Sequence, residues 1–136
     1  MSLLPNAANA TLDDPKITQY LLDPLHPVGG GKAKFFLSRG FTQANWTELK
    51  TALLDHPRHN QVASQTANAH GDRYLISCSL VTPDSSNLCV ISVWNIQASA
   101  PYPRFVTAYP NPAGAASGPQ GLEGTGLINP TKLDLR

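Results

Sequence analysis

The sequence of this chain is poor in charge. Only 14% of its 136 residues are Asp, Glu, Lys or Arg, whereas about 25% is typical of soluble proteins. The ten basic residues almost balance the nine acidic ones, which leaves a formal net charge of +1. Such a chain lacks the broad basic surface that coats many nucleic-acid-binding proteins, so any contact with nucleic acid must be confined to a local patch.

Cysteines and long apolar runs are also scarce. Cys78 and Cys89 are the only two cysteines, too few for a disulfide framework, and both lie in apolar stretches where a free thiol commonly acts as a small buried hydrophobe. No apolar run approaches the roughly 20 residues of a membrane span. No basic residue precedes an apolar stretch near the N-terminus, as one would in a secretory signal. We therefore expect reduced cysteines, no membrane association and a cytoplasmic location.

The length and the distribution of residue types favour one small domain. Residues 1–13 are small and polar and are predicted to form a flexible leader, and the domain itself is predicted to span 14–110. Residues 111–136 are rich in Gly, Pro, Ala and Ser, which offer little to bury. This last stretch is predicted to be a disordered tail.

The sequence of the domain predicts helices first and strands afterwards. A short helix near Asp14, a second over 32–37 and a third over 42–54 are predicted from caps and from apolar spacings of three and four. The pattern then changes to alternation, which predicts strands over the ranges 73–81, 88–96 and 104–109 and a possible first strand over 61–66. The expected fold class is α+β, with the N-terminal helices packed on one face of a three- to four-stranded antiparallel meander sheet.

Pairing the central strands about their turn predicts the two faces of the sheet. The face packed on the helices would carry Tyr74, Ile76, Cys78, Leu80, Cys89, Ile91 and Val93. The other face would carry Ser77, Ser79, Ser92 and Trp94, a composition more typical of an open cleft. In the last strand, Thr107 and Tyr109 would point to this open face, near Trp94 and Arg104.

His26 is the first residue with evident chemical capacity. It lies in a turn between two prolines and is followed by three glycines and Lys32. A tunable imidazole next to a flexible turn and an ammonium group suits a general base or acid beside a phosphate. The alternative is a structural residue whose ring hydrogen-bonds the neighbouring backbone.

The run Gly29-Gly30-Gly31-Lys32 is not a nucleotide-binding P-loop, because Ala33 occupies the place of the metal-binding hydroxyl and no strand precedes it. Backbone amides at this helix start, with Lys32 and Lys34, could hold a single phosphate. The alternative is an ordinary solvated helix start.

Three further cationic side chains, His56, Arg58 and His59, follow the third helix. They lack cysteine or carboxylate partners at ligand spacing, so no zinc site is predicted. We expect them to be cationic groups that stabilise the helix C-terminus. No metal or other cofactor is predicted anywhere in the chain.

The stretch 16–41 resembles a small bacterial family of domains of unknown function, number 6883. The shared residues read K-I-x-x-Y-L-L-x-P-x-H-P-x-G-x-x-K-A-x-F-F over 16–36, followed by Gly40-Phe41. The resemblance continues through Trp46 to V-T-A-Y-P at 106–110. The opening is also similar to C-terminal toxin domains of bacterial polymorphic toxins, and the order of elements loosely resembles the barnase/EndoU/RelE-like ribonuclease fold.

The ribonuclease resemblance implies a metal-independent cleavage of RNA, in which the 2′-hydroxyl attacks the adjacent phosphate. It implies that His26 acts as general base or acid and that Lys32 offsets the phosphate charge. It further implies that Arg104, Thr107 and Tyr109 bind or orient the scissile phosphate, and that Trp94 stacks a base.

Two functions therefore stand at this point. One is a toxin-related, ribonuclease-like domain that acts on RNA phosphodiesters. The other is a non-catalytic relative that uses the same face to bind a protein partner, such as an immunity protein. In the second case the motif residues would be structural. Convergence of His26, Lys32, Thr107 and Tyr109 on one accessible site would favour the first.

Overall fold

The computed structural model describes residues 3–28 and 30–111, which form three helical segments followed by a four-stranded sheet. A short 3-10 turn over Ala7–Asn9 precedes them. The helical segments are α1, an α-helical turn over Asp14–Lys16 that continues as a π-helical turn over Ile17–Leu21, α2 over Gly30–Ser38 and α3 over Trp46–His59. The strands are β1 (Val62–Asn68), β2 (Gly71–Ser79), β3 (Cys89–Gln97) and β4 (Ala100–Pro110).

The sheet is an antiparallel meander in the order β1-β2-β3-β4. Each strand therefore pairs with its neighbour in sequence, as short connections between strands favour. The predicted α+β class, with helices N-terminal to an antiparallel sheet, is confirmed. Within the described residues, no helix is long and apolar enough to cross a membrane.

The register of β2 and β3 differs from the predicted one by a single residue. Tyr74 pairs with Trp94 and Ile76 pairs with Ser92, and direct partners in an antiparallel pair lie on the same face. The slip turns the whole alternation of β3 over. The prediction of an open face carrying Ser92 and Trp94 is therefore wrong, because both side chains are fully buried.

In the observed register, Trp94, the largest side chain of β3, lies in the core. The Trp94 ring packs edge-on against Phe105, with 5.3 Å between centroids. The indole Nε1–H donates to Ser92 Oγ at 2.8 Å, so its polar end is satisfied inside the protein. Burying an indole removes far more apolar area from water than burying the neighbouring valine would.

His56 completes a buried polar network with these two residues. Its Nε2 lies 2.7 Å from the carbonyl oxygen of Cys78, and its Nδ1 lies 2.8 Å from Ser92 Oγ. A carbonyl oxygen only accepts, so Nε2 carries the ring proton and the Ser92 hydroxyl donates to Nδ1. The prediction that His56 acts as a cationic group at the helix C-terminus is wrong, because only 2% of it is accessible and burial lowers its pKa. Arg58 and His59, by contrast, are exposed.

The stability of the fold is expected to depend on the protonation of His56. Burial lowers the pKa of His56 below its ordinary value of 6.5, against the opposing effect of hydrogen bonds to the backbone at Cys78 and Val90. The neutral ring is therefore favoured by folding, and the free energy of unfolding should fall as the pH drops below 6.5. Each unit by which a pKa is lowered is worth about 1.4 kcal/mol.

Urea unfolding between pH 8 and pH 5 measures this dependence. His56→Gln should lose much of the pH dependence and also about 1–3 kcal/mol of stability, because it disturbs a buried hydrogen-bond network. The matched variant His59→Gln, three residues away and exposed, should keep the wild-type profile. An unchanged pH profile in His56→Gln would contradict this assignment.

The N-terminal segment is part of the fold, so the prediction of a flexible leader over 1–13 is wrong for the described residues. Leu4 and Leu12 are buried in the core. The backbone N–H of Thr11 donates to the carbonyl of Pro103, and the Thr11 carbonyl accepts from Phe105. These bonds cover the outer edge of β4, which would otherwise present unpaired backbone groups. Most of the predicted tail, 112–136, lies outside the described residues.

The two cysteines form a disulfide between β2 and β3, contrary to the prediction of reduced thiols. Strand pairing brings the Cα atoms of Cys78 and Cys89 to 4.0 Å from each other. The sequence predicted the two thiols to be separate buried side chains. Because β2 and β3 are paired, the two cysteines are neighbours and can form a bond. Disulfides persist in oxidising environments, so the bond does not support the expected cytoplasmic location.

Candidate functional site

Lys32 joins three elements of the fold through one ammonium group. From α2, its Nζ donates to the Tyr20 hydroxyl at 2.6 Å and to the Thr107 hydroxyl at 3.1 Å. Tyr20 Oη and Thr107 Oγ1 are themselves 3.1 Å apart. Each residue is partly exposed, so this tyrosine–lysine–threonine cluster lies at the surface where α1, α2 and β4 meet.

The position of Tyr20 follows from the helix that carries it. Ile17 and Leu21, on the same segment, are fully buried and fix α1 against the core. Tyr20 lies between them at the rim, where an aromatic body can pack and a hydroxyl can remain accessible. The phenol hydroxyl therefore contacts Thr107 on β4 and stays partly exposed to solvent.

The surroundings of Tyr20 favour its ionised form. Partial burial alone would raise its pKa, but hydrogen bonds with Lys32 and Thr107 and the positive charges of Lys32 and Lys16 outweigh burial. The pKa of Tyr20 is lowered from its ordinary value of 10. A phenol with a lowered pKa in an accessible cluster is a candidate proton-transfer group.

Aromatic rings surround the ammonium groups of this cluster. The Lys32 Nζ is 5.2 Å from the ring centroid of Tyr20 and 5.9 Å from that of Tyr109. Lys16 Nζ lies 5.9 Å from the Tyr20 centroid and donates to the Val106 carbonyl at 3.1 Å. Cations over aromatic faces are attracted by the ring quadrupole, which helps to hold both lysines at the site.

His26 borders the cluster through Tyr20. The two ring centroids are 5.0 Å apart in an edge-to-face arrangement. The imidazole Nδ1 accepts a hydrogen bond from the backbone N–H of Val28 at 3.0 Å, so the neutral ring carries its proton on Nε2. The ring therefore stabilises its own turn and also lies next to the cluster.

Gly30 fastens the His26 turn to α2. Its N–H donates to the His26 carbonyl at 3.0 Å. A Cβ at this position would lie 2.6 Å from the carbonyl oxygen of Pro24, closer than side-chain carbons come to backbone. The neighbouring Gly31 has open space where its Cβ would be.

This contrast gives a matched pair of variants. Gly30→Ala should lower stability by about 1–3 kcal/mol, because the turn must shift away from the new methyl group. Gly31→Ala should raise it by up to about 1 kcal/mol, since alanine favours a helix over glycine. Thermal unfolding of the two proteins measures the difference. Equal destabilisation by both substitutions would show that the turn is not held as closely as the structure indicates.

Three predicted site residues lie outside the cluster. Lys34 is exposed and, two residues after Lys32, lies about 200° around the helix, so the two lysines do not hold one phosphate. Trp94 is buried in the core and cannot stack on a base. Arg104 is exposed and lines a neighbouring cleft rather than contacting Lys32.

Comparison with protein families finds a match over residues 3–112, most of the chain. The matching family is described as a domain of unknown function, DUF6883. The chain belongs to the DUF6883 family. This match confirms the family predicted from residues 16–41, and it extends further toward the N-terminus than the predicted domain, in agreement with the ordered segment before α1.

A solved structure shares the fold of this DUF6883 domain. It is one chain of a contact-dependent growth inhibition toxin–immunity protein complex from Klebsiella pneumoniae 342. The TM-score is 0.58 at 13% sequence identity, and the match covers 79% of this chain and 98% of that chain. At this identity the likeness concerns the fold alone. No curated protein matches the chain.

The sequence pointed to four residues in or beside this cluster and missed Tyr20. His26, Lys32, Thr107 and Tyr109 were candidates, whereas Tyr20 was not, because its spacing from Ile17 and Leu21 is that of one apolar helix face. Tyr20 could have been found from its place in the DUF6883 motif, six residues before His26. Its side chain also ends in a polar hydroxyl group. Residue spacing alone does not separate a core tyrosine from a rim tyrosine.

Proposed function

We propose that this DUF6883 domain is a toxin-related, metal-independent endoribonuclease that cleaves RNA at the tyrosine–lysine–threonine cluster. The observation that carries the proposal is the 2.6 Å hydrogen bond from Lys32 to a tyrosine whose pKa is lowered. A proton acceptor and a fixed positive charge side by side suit the attack of a ribose hydroxyl on a phosphate.

In the proposed reaction the Tyr20 phenolate accepts the proton of the RNA 2′-hydroxyl. The 2′-oxygen then forms a bond to the adjacent phosphorus while the bond from phosphorus to the 5′-oxygen breaks. The products are a 2′,3′-cyclic phosphate and a 5′-hydroxyl, whose proton comes from water. Tyr20 afterwards loses its proton to solvent, so protons balance over the cycle.

The other groups would stabilise the charge that develops on the phosphate. Lys32 stays protonated and offsets it, and the Thr107 hydroxyl orients a phosphate oxygen. His26, whose Nδ1 accepts a hydrogen bond from the backbone of Val28, would donate a hydrogen bond to a phosphate oxygen through Nε2 and would not remove a proton. Tyr109 would help to position Lys32 through its ring.

The fold-level likeness to a chain of a toxin–immunity complex supports a toxin-related role. It equally supports the second candidate, a protein-binding domain without catalysis. That candidate is favoured by the turn that carries His26, in which Leu25 is 89% and Val28 is 66% exposed. Two exposed apolar side chains beside a cationic cluster suit a partner surface that is apolar with an acidic rim.

Incubation of the purified protein with total bacterial RNA in EDTA separates the two candidates. The wild-type protein is expected to degrade the RNA, and Lys32→Ala is expected to leave it intact. Lys34→Ala removes a lysine from the same helix on a different side and should cleave like the wild type. Intact RNA with folded wild-type protein would reject the ribonuclease proposal and favour a binding role, which Leu25→Asp should then weaken.

A further inference from the structure

A polar cleft of about 200 Å³ adjoins the tyrosine–lysine–threonine cluster. Its lining includes two basic and two amide side chains: Lys16, Arg104, Asn95 and Gln97. We infer that this amide–cation cleft binds a nucleotide of single-stranded RNA next to the cleaved phosphodiester, an inference that rests on the proposed function. It would provide affinity and base preference, which the cluster itself does not explain.

The cleft continues the cluster along β4. Arg104 precedes Thr107 by three residues on this strand, a distance of about 10 Å along an extended backbone. Lys16 belongs to both places, since it lines the cleft and lies 5.9 Å from the Tyr20 ring centroid. Stacked nucleotides advance by about 3.4 Å each, so an RNA strand that leaves the cluster reaches the cleft within a few nucleotides.

The charges of the cleft fit a phosphate. Among the described residues, neither Lys16 nor Arg104 forms an ion pair, and Asp13 is the only acidic side chain in the lining. A guanidinium binds phosphate oxygens through two parallel hydrogen bonds. The cleft is therefore a local basic patch on a chain whose net charge is only +1.

The two amides fit the edge of a base. Asn95 lies directly opposite Arg104 on the neighbouring strand, and Gln97 lies two residues further along. Both are partly exposed, and neither amide side chain hydrogen-bonds another described residue. Amides donate and accept at once, which suits the mixed pattern of a base edge. Phe105 is 6% exposed, so stacking on it is not part of the inference.

Fluorescence anisotropy tests the cleft without requiring catalysis. The probe is a labelled, mixed-sequence RNA 12-mer with 2′-O-methyl groups throughout, which has no attacking hydroxyl. Binding to the full chain is compared for wild type, Arg104→Ala and the double variant Asn95→Ala/Gln97→Ala. We expect Arg104→Ala to raise Kd about tenfold and the double variant to raise it about five- to tenfold, in line with one lost bidentate contact. Lys34→Ala, on an exposed side of α2 outside the cluster, should bind like the wild type.

The outcomes separate this inference from the proposed function. If all the cleft variants bound the RNA as strongly as the wild type, the inference that the cleft binds RNA would be overturned. The absence of any binding by folded wild-type protein would also overturn it. Weakened binding in the cleft variants supports the cleft, even if unmodified RNA is never cleaved. In that last case the cleft would stand as an RNA-binding site while the ribonuclease proposal would fail.

Discussion

Replacement of Tyr20 by phenylalanine is expected to lower the rate of RNA cleavage by about 10²–10⁴-fold, the usual contribution of a positioned general base. The substitution removes one oxygen atom and keeps the ring that packs against Lys32 and His26. Folding stability should therefore change little. Tyr102→Phe, at a half-exposed tyrosine on β4 that is not a member of the cluster, should cleave at the wild-type rate.

The pH dependence of the reaction identifies the group that Tyr20→Phe removes. Because the phenolate is the active form, the wild-type rate should rise with pH and level off above the pKa of Tyr20, which is lowered from 10. Any residual activity of Tyr20→Phe should lack this rise. Wild-type activity in Tyr20→Phe would assign the proton transfer to another group and leave Tyr20 as a packing residue.

Replacement of Trp94 by alanine is expected to reduce the free energy of unfolding by about 3–5 kcal/mol, as for other large aromatic residues in a core. The side chain is fully buried against Phe105, and its removal also leaves Ser92 without the N–H donor of the indole. Trp94→Phe should lose less, because it keeps a ring but not the N–H group. Chemical denaturation followed by circular dichroism measures both changes.

The Trp94 variants also test the register of the sheet. If Trp94 faced solvent on an open sheet face, Trp94→Ala would cost less than about 0.5 kcal/mol, as surface substitutions usually do. In that case the main effect of Trp94→Ala would be weaker RNA binding. Tyr102→Ala, on exposed β4 surface, is the matched control and should stay near wild-type stability. A large loss for Trp94 and a small one for Tyr102 would establish the buried register.

The order of the elements could be predicted from the sequence, but the faces of the sheet could not. Apolar spacing separated helices from strands because the two periods differ strongly. The register of β2 and β3 depends on one residue in the turn between them, and a slip of one reverses every assignment. Trp94 could have shown which face of β3 is buried, since a large indole gains most from burial. The serines near it in the sequence instead suggested an open face.

Long-range contacts explain the remaining differences. Leu4 and Leu12 lie in a segment of small and polar residues, and their burial depends on the edge of β4 about 90 residues later. The cysteine pair likewise becomes adjacent only through strand pairing. At the site, His26 and Lys32 were found because they are close in sequence, whereas Tyr20 is recognised as a reactive group only when Thr107 and Lys32 are seen beside it.

The most direct test of the central claim uses one RNA oligonucleotide and the DNA of the same sequence, each incubated with the wild-type protein in EDTA. We predict that the RNA is cut and that the DNA stays intact. By mass spectrometry, every new 3′ end should carry a 2′,3′-cyclic phosphate and every new 5′ end a hydroxyl. Lys32→Ala should produce no such ends. Cleavage of the DNA, new ends with a 3′-hydroxyl, or intact RNA in the presence of folded protein would contradict the account.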